Sequence, residues 1–504
     1  MIALRNPRPA ARALACVLGG LCALAFPAGS AARAQDTENA EGPPIEQSVV
    51  LIEVTSQHSD WFTPWQAGPI TRGSGSGFLI APGMVLTNAH VVSDVRQILL
   101  KRNGRITPSF AEVAFIAHDA DLALLRVDDP EFDRGIPPLE LGGLPSLRTA
   151  VRTYGYPAGG EKISRTEGVV SRVEFVTYLH SGADAHLAIQ TDSAINPGNS
   201  GGPVIQDGKV VGVAFQTNTR LNDVGFFIPT PVIQRFLRDI EDGRYDGYVE
   251  LGLVTSNLFN TSYREHLGLP PDVTGVVVDR VLPGSSASGY VQPEDVITAI
   301  DGQPVAYDGT ISFHGYFLGL EQAAEDKLIG DSVELSIFRD RAPLTLRIPL
   351  KPLDHADRMR RRFDELPEYV IYAGLVFMKL DQEYLRTFGN YWVNANRPLL
   401  YSHFFKMAEQ PDEETTPAII LSRVLPHAVN SAYRRYTNSI VSEINGKEIV
   451  DLRSLRDALS ASSNGFHVIG LEGGRHIILD RAEAEAAHSQ ILRTYGIRRE
   501  GRVH

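Results

Sequence analysis

One serine stands out for the company it keeps. In Asn196-Pro197-Gly198-Asn199-Ser200-Gly201-Gly202-Pro203, Ser200 lies among glycines, which admit positive φ and let a substrate carbonyl approach the main chain. A hydroxyl so placed can attack a carbonyl if a base takes its proton and a third group orients that base. Two upstream stretches supply such groups. His90 ends Thr87-Asn88-Ala89-His90, after the apolar strand Phe78-Leu79-Ile80 and the turn Ala81-Pro82-Gly83. Asp121 stands at the mouth of another apolar strand, Leu122-Ala123-Leu124-Leu125. Asp119 is the rival acid, but the position directly before the strand favours Asp121. His58, His118, His186, His266 and His314 lack a comparable setting and are expected in surface or structural roles.

Chain order separates two readings of the serine. Gly198-Asn199-Ser200-Gly201-Gly202 matches G-x-S-x-G formally, yet the nucleophile elbow puts serine before acid and histidine, on a strand-to-helix turn. Here the order is His90, Asp121, Ser200, and the residues that follow, Pro203-Val204-Ile205 and Val210-Val211-Gly212-Val213, read as strands. That order is the chymotrypsin one.

TNAHVV, DLALL and GNSGGP, in this order and at these intervals, resemble the Deg/HtrA family of trypsin-like serine proteases carrying PDZ domains. Gly225 to Pro231 resembles the end of that protease domain, and the C-terminal half is most similar to plant Deg proteases whose second PDZ domain is divergent. The resemblance covers nearly everything after about residue 45. It implies a mostly β chain: a chymotrypsin-like double β-barrel protease domain followed by two PDZ-like α+β domains. It gives Ser200 the role of nucleophile, His90 that of general base and acid, and Asp121 that of orienting carboxylate. The N–H groups of Gly198 and Ser200 would form an oxyanion hole, with Asn199 shaping the turn and Pro197 biasing it. Ala194 stands where a trypsin-type pocket would carry an acid. With Ile195 near and Val213, Ala214 and Phe215 on the wall strand, cleavage after Val, Ile, Leu or Ala is expected. Trp61, Phe62 and Trp65 would be trimer contacts, or else a loop packing on its own barrel, and a homo-oligomer (trimer or hexamer) is implied.

The elements that must position these groups follow in sequence. From Ile45 to about residue 243, short apolar strands alternate with Gly/Pro/Asn/Asp turns, as in an all-β barrel. A helix from Pro231 to about Ile240 would close this domain. Residues 248–352 read as a first PDZ domain, with EDVITAIDGQPV as its strand–turn–strand. Its loop Leu251-Gly252-Leu253-Val254 would add a peptide as a strand, although Glu250 stands where a basic side chain would help a terminal carboxylate. Residues 353–366 read as a charged helical linker whose arginines form a solvated face. Residues 367–485 read as a divergent second PDZ-like domain: Ala373 to Phe377 matches the first domain's loop, and SIVSEINGKEIVDLRSLRDAL its strand–turn–strand–helix. An insertion between Leu380 and Thr416 carries the acidic run Glu409 to Glu414, and 486–504 is set off as a tail.

The first 34 residues read as a secretory signal peptide: Arg5, Arg8 and Arg12, an apolar run from Ala13 to Phe26, then Ala32-Arg33-Ala34. Both cysteines, Cys16 and Cys22, lie within it, so the mature chain would need no disulfide. Its removal takes away four arginines and no acids, moving the net charge from −12 to −16. So acidic a surface argues against nucleic acid or an anionic membrane as partner. No later stretch is long enough to span a bilayer, and the expected address is the periplasm, or else the medium. No P-loop occurs, and neither cofactor nor metal is implied. The leading expectation is an ATP-independent endopeptidase acting on unfolded or damaged polypeptides; the alternative is a chaperone or scaffold that holds clients.

Overall fold

The computed structural model describes residues 45–503, apart from 158–159, 161, 194, 219–223, 353–359, 390–398, 401, 404–416 and 462–464. The leader therefore lies outside the described residues, as does the acidic run Glu409 to Glu414. The chain is mostly β. Strands β1 (Val49–Ser59), β2 (Ala67–Ala81), β3 (Met84–Thr87), β4 (Val95–Arg102), β5 (Ser109–Ala117) and β6 (Leu122–Arg126) close a barrel in the order β1-β2-β3-β6-β5-β4. Strands β7 (Ala150–Gly155), β8 (Ser164–Thr177), β9 (Ala185–Thr191), β10 (Pro203–Gln206), β11 (Lys209–Asn218) and β12 (Val224–Pro229) close a second, β10-β11-β12-β9-β8-β7. A one-turn helix α1 (Ala89–Val92) follows β3, and helix α2 (Thr230–Asp239) follows β12.

Period-two alternation explains how the barrels meet, since successive side chains of a strand point to opposite faces. Val50, Ile52, Leu79 and Val85 fill the interior of the first barrel. Their neighbours Val49, Leu51, Phe78 and Leu86 point the other way, into a cluster continuous with the second barrel's core. Both faces are therefore apolar, and the second face becomes a seam. The chemistry suggested by the sequence lies along it.

The first small domain carries β13 (Leu253–Asn257), α3 (Thr261–Leu267), β14 (Val276–Val281), β15 (Val296–Ile300), β16 (Gln303–Pro304), a hairpin β17 (Thr310–Phe313) and β18 (Tyr316–Gly319), then β19 (Ser332–Arg339) and β20 (Ala342–Pro349). Its sheet runs β13-β14-β15-β19-β20, leaving β13 on an edge. Buried Arg235 of α2 clamps it to the second barrel. The guanidinium binds Asp239 at 2.8 Å, donates to the carbonyls of Gly247 (2.6 Å) and Lys327 (3.3 Å), and lies 3.9 Å over the Tyr248 ring. Leu318, Phe313 and Tyr316 of the hairpin also join the second barrel's core.

The second small domain comprises β21 (Tyr369–Tyr372), β22 (Leu375–Lys379), α4 (Gln382–Arg386), β23 (Ile419–Val424), β24 (Ser439–Ile444), β25 (Lys447–Glu448), α5 (Leu452–Ser460), β26 (Phe466–Leu471), β27 (Arg475–Asp480), α6 (Arg481–Thr494) and β28 (Gly501–Arg502). Three expectations change here. Residues 486–504 are no tail: β28 pairs with β21, and Ile491 and Ile497 are buried in the domain's core. The segment 353–366 is not helical where described, because its residues take partners on the first domain in different directions. Arg360 grips Asp184 at 2.5–2.9 Å, Phe363 stacks on His180 with centroids 4.0 Å apart, and Asp364 and Asp94 accept from each other's backbone N–H. Its described arginines are thus engaged: besides Arg360, Arg361 lies 4.9 Å over the Phe363 ring and Arg362 donates to Glu365 at 2.9 Å. Trp61 and Trp65 pack against the second small domain's core, Trp65 edge-on to Tyr369 at 6.4 Å, and Arg423 lies 3.6 Å over Phe62. Within the chain, the aromatic loop therefore packs on another domain rather than on its own barrel.

Candidate active site

Strands β3 and β6 pair antiparallel with Thr87 opposite Ala123. The residues just after β3 and just before β6 therefore emerge at the same barrel rim, which brings His90 and Asp121 together across 31 positions. Asn88 ties the two ends by donating its amide to the Asp121 carbonyl at 2.9 Å. Asp121, at φ 50°, is 2% exposed, and both its oxygens face His90. Oδ1 accepts the His90 backbone N–H and Oδ2 accepts Nδ1–H, each at 2.8 Å. That bond leaves Nε2 as the basic nitrogen. Asp119 does something else: it accepts from the Tyr245 hydroxyl at 2.7 Å and from the Ala120 N–H at 2.9 Å.

The serine turn comes from the second barrel. Asn199 N–H donates to the Asn196 carbonyl at 2.9 Å, and Gly198 has φ 97°. With Pro197 and Gly198 central, this is a type II turn, which asks for φ near −60° and then a positive φ; Pro fixes the first and Gly permits the second. Ser76 of β2, fully buried, stitches the turn to the first barrel. Its Oγ donates to the Gly198 carbonyl at 2.7 Å, and its N–H donates to the Ser200 carbonyl at 2.8 Å. The next two glycines are dictated by space: a Cβ on Gly201 would lie 2.1 Å from the Ser76 oxygen, and one on Gly202 2.0 Å from the Tyr154 oxygen. Among the described residues the N–H groups of Gly198 and Ser200 have no acceptor, whereas that of Asn199 is used in the turn.

Ser200 and His90 line one cleft of about 330 Å³ together with Pro197, Gly198, Ser93 and His58. The hydroxyl donates to the Phe215 carbonyl at 3.4 Å, and among the described residues no hydrogen bond joins it to His90. The cleft thus holds a buried carboxylate, a tautomer-fixed imidazole, a serine and two free N–H groups. That set suits acyl transfer.

Residues 75–213 match the trypsin-like peptidase domain, and residues 359–501 match the PDZ domain. The mitochondrial Protease Do-like 4 of Arabidopsis thaliana is 34% identical over 452 residues, spanning 89% of this chain and 84% of its own. The chain belongs to the Deg/HtrA family of trypsin-like serine proteases. The chloroplastic Protease Do-like 2 of Arabidopsis thaliana is 36% identical to this protease over 455 residues, covering 89% of it and 74% of the relative. Among solved structures, an HtrA-type protease AlgW with tripeptide is 25% identical, with a TM-score of 0.48, over 61% of this chain and 95% of that one.

Electrostatics in the protease prepare the pair. Burial lowers the His90 pKa, but the charge of Asp121 and its hydrogen bond outweigh that, so it lies above the ordinary 6.5. Burial raises Asp121, and His90, then His180, more than reverse this, holding it below the usual carboxylate range. His180, which the sequence reading passed over, sits beside the pair with its centroid 6.3 Å from that of His90. Burial pushes it down to about 3, so it is neutral across the working range. It shares a hydrogen with His118 at 2.9 Å, and His118 faces Asp364 at 3.1 Å. Nothing in the local sequence marks His180 or Ser76; their partners lie scores of residues away.

The remaining expected residues divide. Ala194 lies outside the described residues. Ile195, Val213, Ala214 and Phe215 are buried in the second barrel's core, with the Phe215 carbonyl next to the Ser200 hydroxyl. Ile195 abuts Gly225, where a Cβ would sit 2.8 Å from its Cδ1. Leu251, Gly252 and Leu253 line a separate cleft of about 360 Å³ between the second barrel and the first small domain, while Val254 does not. Among the described residues no group of three or more His, Cys, Asp or Glu is placed to hold a metal, and no helix is long and apolar enough to cross a membrane.

Proposed function

We propose that this protease is an ATP-independent endopeptidase that degrades unfolded or damaged polypeptides outside the cytoplasm, using Ser200, His90 and Asp121. The observation that carries the reading is the two-point contact of Asp121 with His90, at 2.8 Å each, on the rim of the cleft that holds Ser200. Ser200 turns its hydroxyl from Phe215 towards Nε2 and attacks the scissile carbonyl; His90 takes the proton and returns it to the leaving amine. The N–H groups of Gly198 and Ser200 hold the oxyanion. Cleavage follows small to medium apolar residues, since no acid stands at position 194. The first small domain is read as a PDZ domain that binds peptides, the second as a divergent PDZ that serves inter-subunit contact or shielding, the chain as a homo-oligomer (trimer or hexamer), and the address as the periplasm on the strength of residues 1–34.

The test compares purified protein with Ser200→Ala on casein, with cut sites read by mass spectrometry. Hydrolysis after Val, Ile, Leu or Ala that Ser200→Ala abolishes supports the reading; a dominant basic P1 refutes the specificity, and equal cleavage by both refutes the mechanism. One observation favours a second reading, a client-holding chaperone with latent proteolysis. The Ser200 hydroxyl rests on Phe215 rather than on the base. Suppressed client aggregation with no cleavage by either protein would support it.

A further inference from the structure

The second cleft carries two carboxylates, Glu250 and Glu321, that serve neither the fold nor the proposed triad. Its walls are the loop and edge strand Glu250 to Leu253, Leu320 to Gln322 of the first small domain, and Ala183 to His186 of the second barrel. Four carboxylates line it, Asp184, Glu250, Glu321 and Glu325, and no lysine or arginine does. Two of the four are matched: Glu325 binds His186 Nδ1 at 3.0 Å, and Asp184 binds Arg360. Glu250 and Glu321 make no ion pair among the described residues and are exposed to the cleft. Arg360, already held by Asp184, acts on Glu250 only from beyond ion-pair distance, so a terminal carboxylate entering here would meet two carboxylates that no ion pair neutralises.

A second feature points to a ligand. His186 is 3% exposed and Tyr248 7% exposed, and both line the cleft. His186 Nε2, the Tyr248 hydroxyl and Gln322 Oε1 are all buried without a partner. Buried polar atoms left unpaired cost about 1–3 kcal/mol each, so three around one cleft mark a place where a polar guest binds. Gln322 and Tyr248 can accept from a cationic head, and protonated His186 can donate to a backbone carbonyl. Strand β13 offers its free edge alongside.

We infer that this cleft binds an extended peptide segment through an internal lysine or arginine, held between Glu250 and Glu321, and not through a free C-terminal carboxylate. The peptide lies along β13 as an added strand, and its basic side chain supplies the missing counter-charge. The inference rests on the reading of the first small domain as a peptide binder.

The test uses Ser200→Ala protein, which leaves peptide intact, and fluorescence anisotropy with two labelled peptides. One is apolar with a single central lysine and a C-terminal amide; the other is apolar throughout with a free carboxylate. The amidated basic peptide should bind at least about ten-fold tighter and weaken with salt. Glu250→Gln and Glu321→Gln should each weaken it roughly five-fold, the upper end for an exposed pair, while the remote Glu448→Gln leaves it unchanged. Equal or tighter binding of the free-carboxylate peptide would overturn the charge assignment alone. Failure of both peptides to bind would overturn the peptide-binding reading as well. Binding of the basic peptide that ignores both substitutions would place it elsewhere and overturn the site.

Discussion

Replacing Asp121 by Asn tests whether the carboxylate, rather than the shape of the site, arms His90. In the wild type the two oxygens of a side chain 2% exposed accept two N–H groups of one residue, each at 2.8 Å. The amide keeps the volume but has one oxygen. If that oxygen stays on the backbone N–H of His90, the NH₂ faces Nδ1, which must then accept. The ring switches tautomer, and Nε2 carries a hydrogen where Ser200 needs a base. A tautomer error of this kind costs about 10⁴ in kcat, about 5.4 kcal/mol of transition-state stabilisation. The assay is initial-rate hydrolysis of labelled casein, with thermal melts to confirm the fold. Asp119→Asn is the control. It keeps an oxygen for the Tyr245 hydroxyl but loses the charge that faces Arg360 and His186, so its melting temperature should fall while kcat stays within a few-fold of wild type. Asp121→Asn activity within ten-fold of wild type, or an equal loss in Asp119→Asn, would refute the reasoning.

Gly198→Ala places a side chain at φ 97°, a conformation that costs an L-residue about 1–2 kcal/mol; relaxing the turn removes one oxyanion donor, so kcat should fall roughly 10²–10³-fold with KM little changed. His90 works as a base only when neutral, and its pKa is raised above 6.5, so kcat/KM should decline as pH falls through that raised value; a profile flat to pH 5 would contradict this. His186 is likewise raised: burial pulls it down, but Glu325 pulls it up further. The pair's stabilisation is then complete below 6.5 and lost as pH rises through the raised folded value. Glu325→Gln should therefore lower the free energy of unfolding most at acidic pH and least at alkaline pH, by up to about 3–5 kcal/mol for a pair buried this deeply, as read by denaturant melts at each pH. A uniform loss across pH would argue against the charged pair.

What could be read from the sequence was mostly local. The dipeptides Asp301-Gly302 and Asn445-Gly446 both take positive φ and make the tight turns their residue types demand. Gly201 and Gly202 could be flagged as close-approach residues, and their clashes with Ser76 and Tyr154 show why. Asp121 could be preferred to Asp119 because it directly precedes a strand, and the pairing of β3 with β6 turns that position into contact with His90. What escaped was long-range. Phe363 stacks on His180 across 183 positions, and Trp65 meets Tyr369 across more than 300. Neither contact leaves a periodic trace. Arg360 looked solvated because its carboxylate partner, Asp184, lies 176 positions away in the second barrel. The Ser200 hydroxyl direction is a single torsion, which no pattern encodes.

Labelling with a fluorophosphonate followed by peptide mapping bears most directly on the central claim. The expected result is one adduct, on Ser200, formed by wild-type protein, greatly slowed in Asp121→Asn and absent in His90→Ala. An adduct on another serine, or casein hydrolysis that persists when Ser200 is replaced, would contradict it.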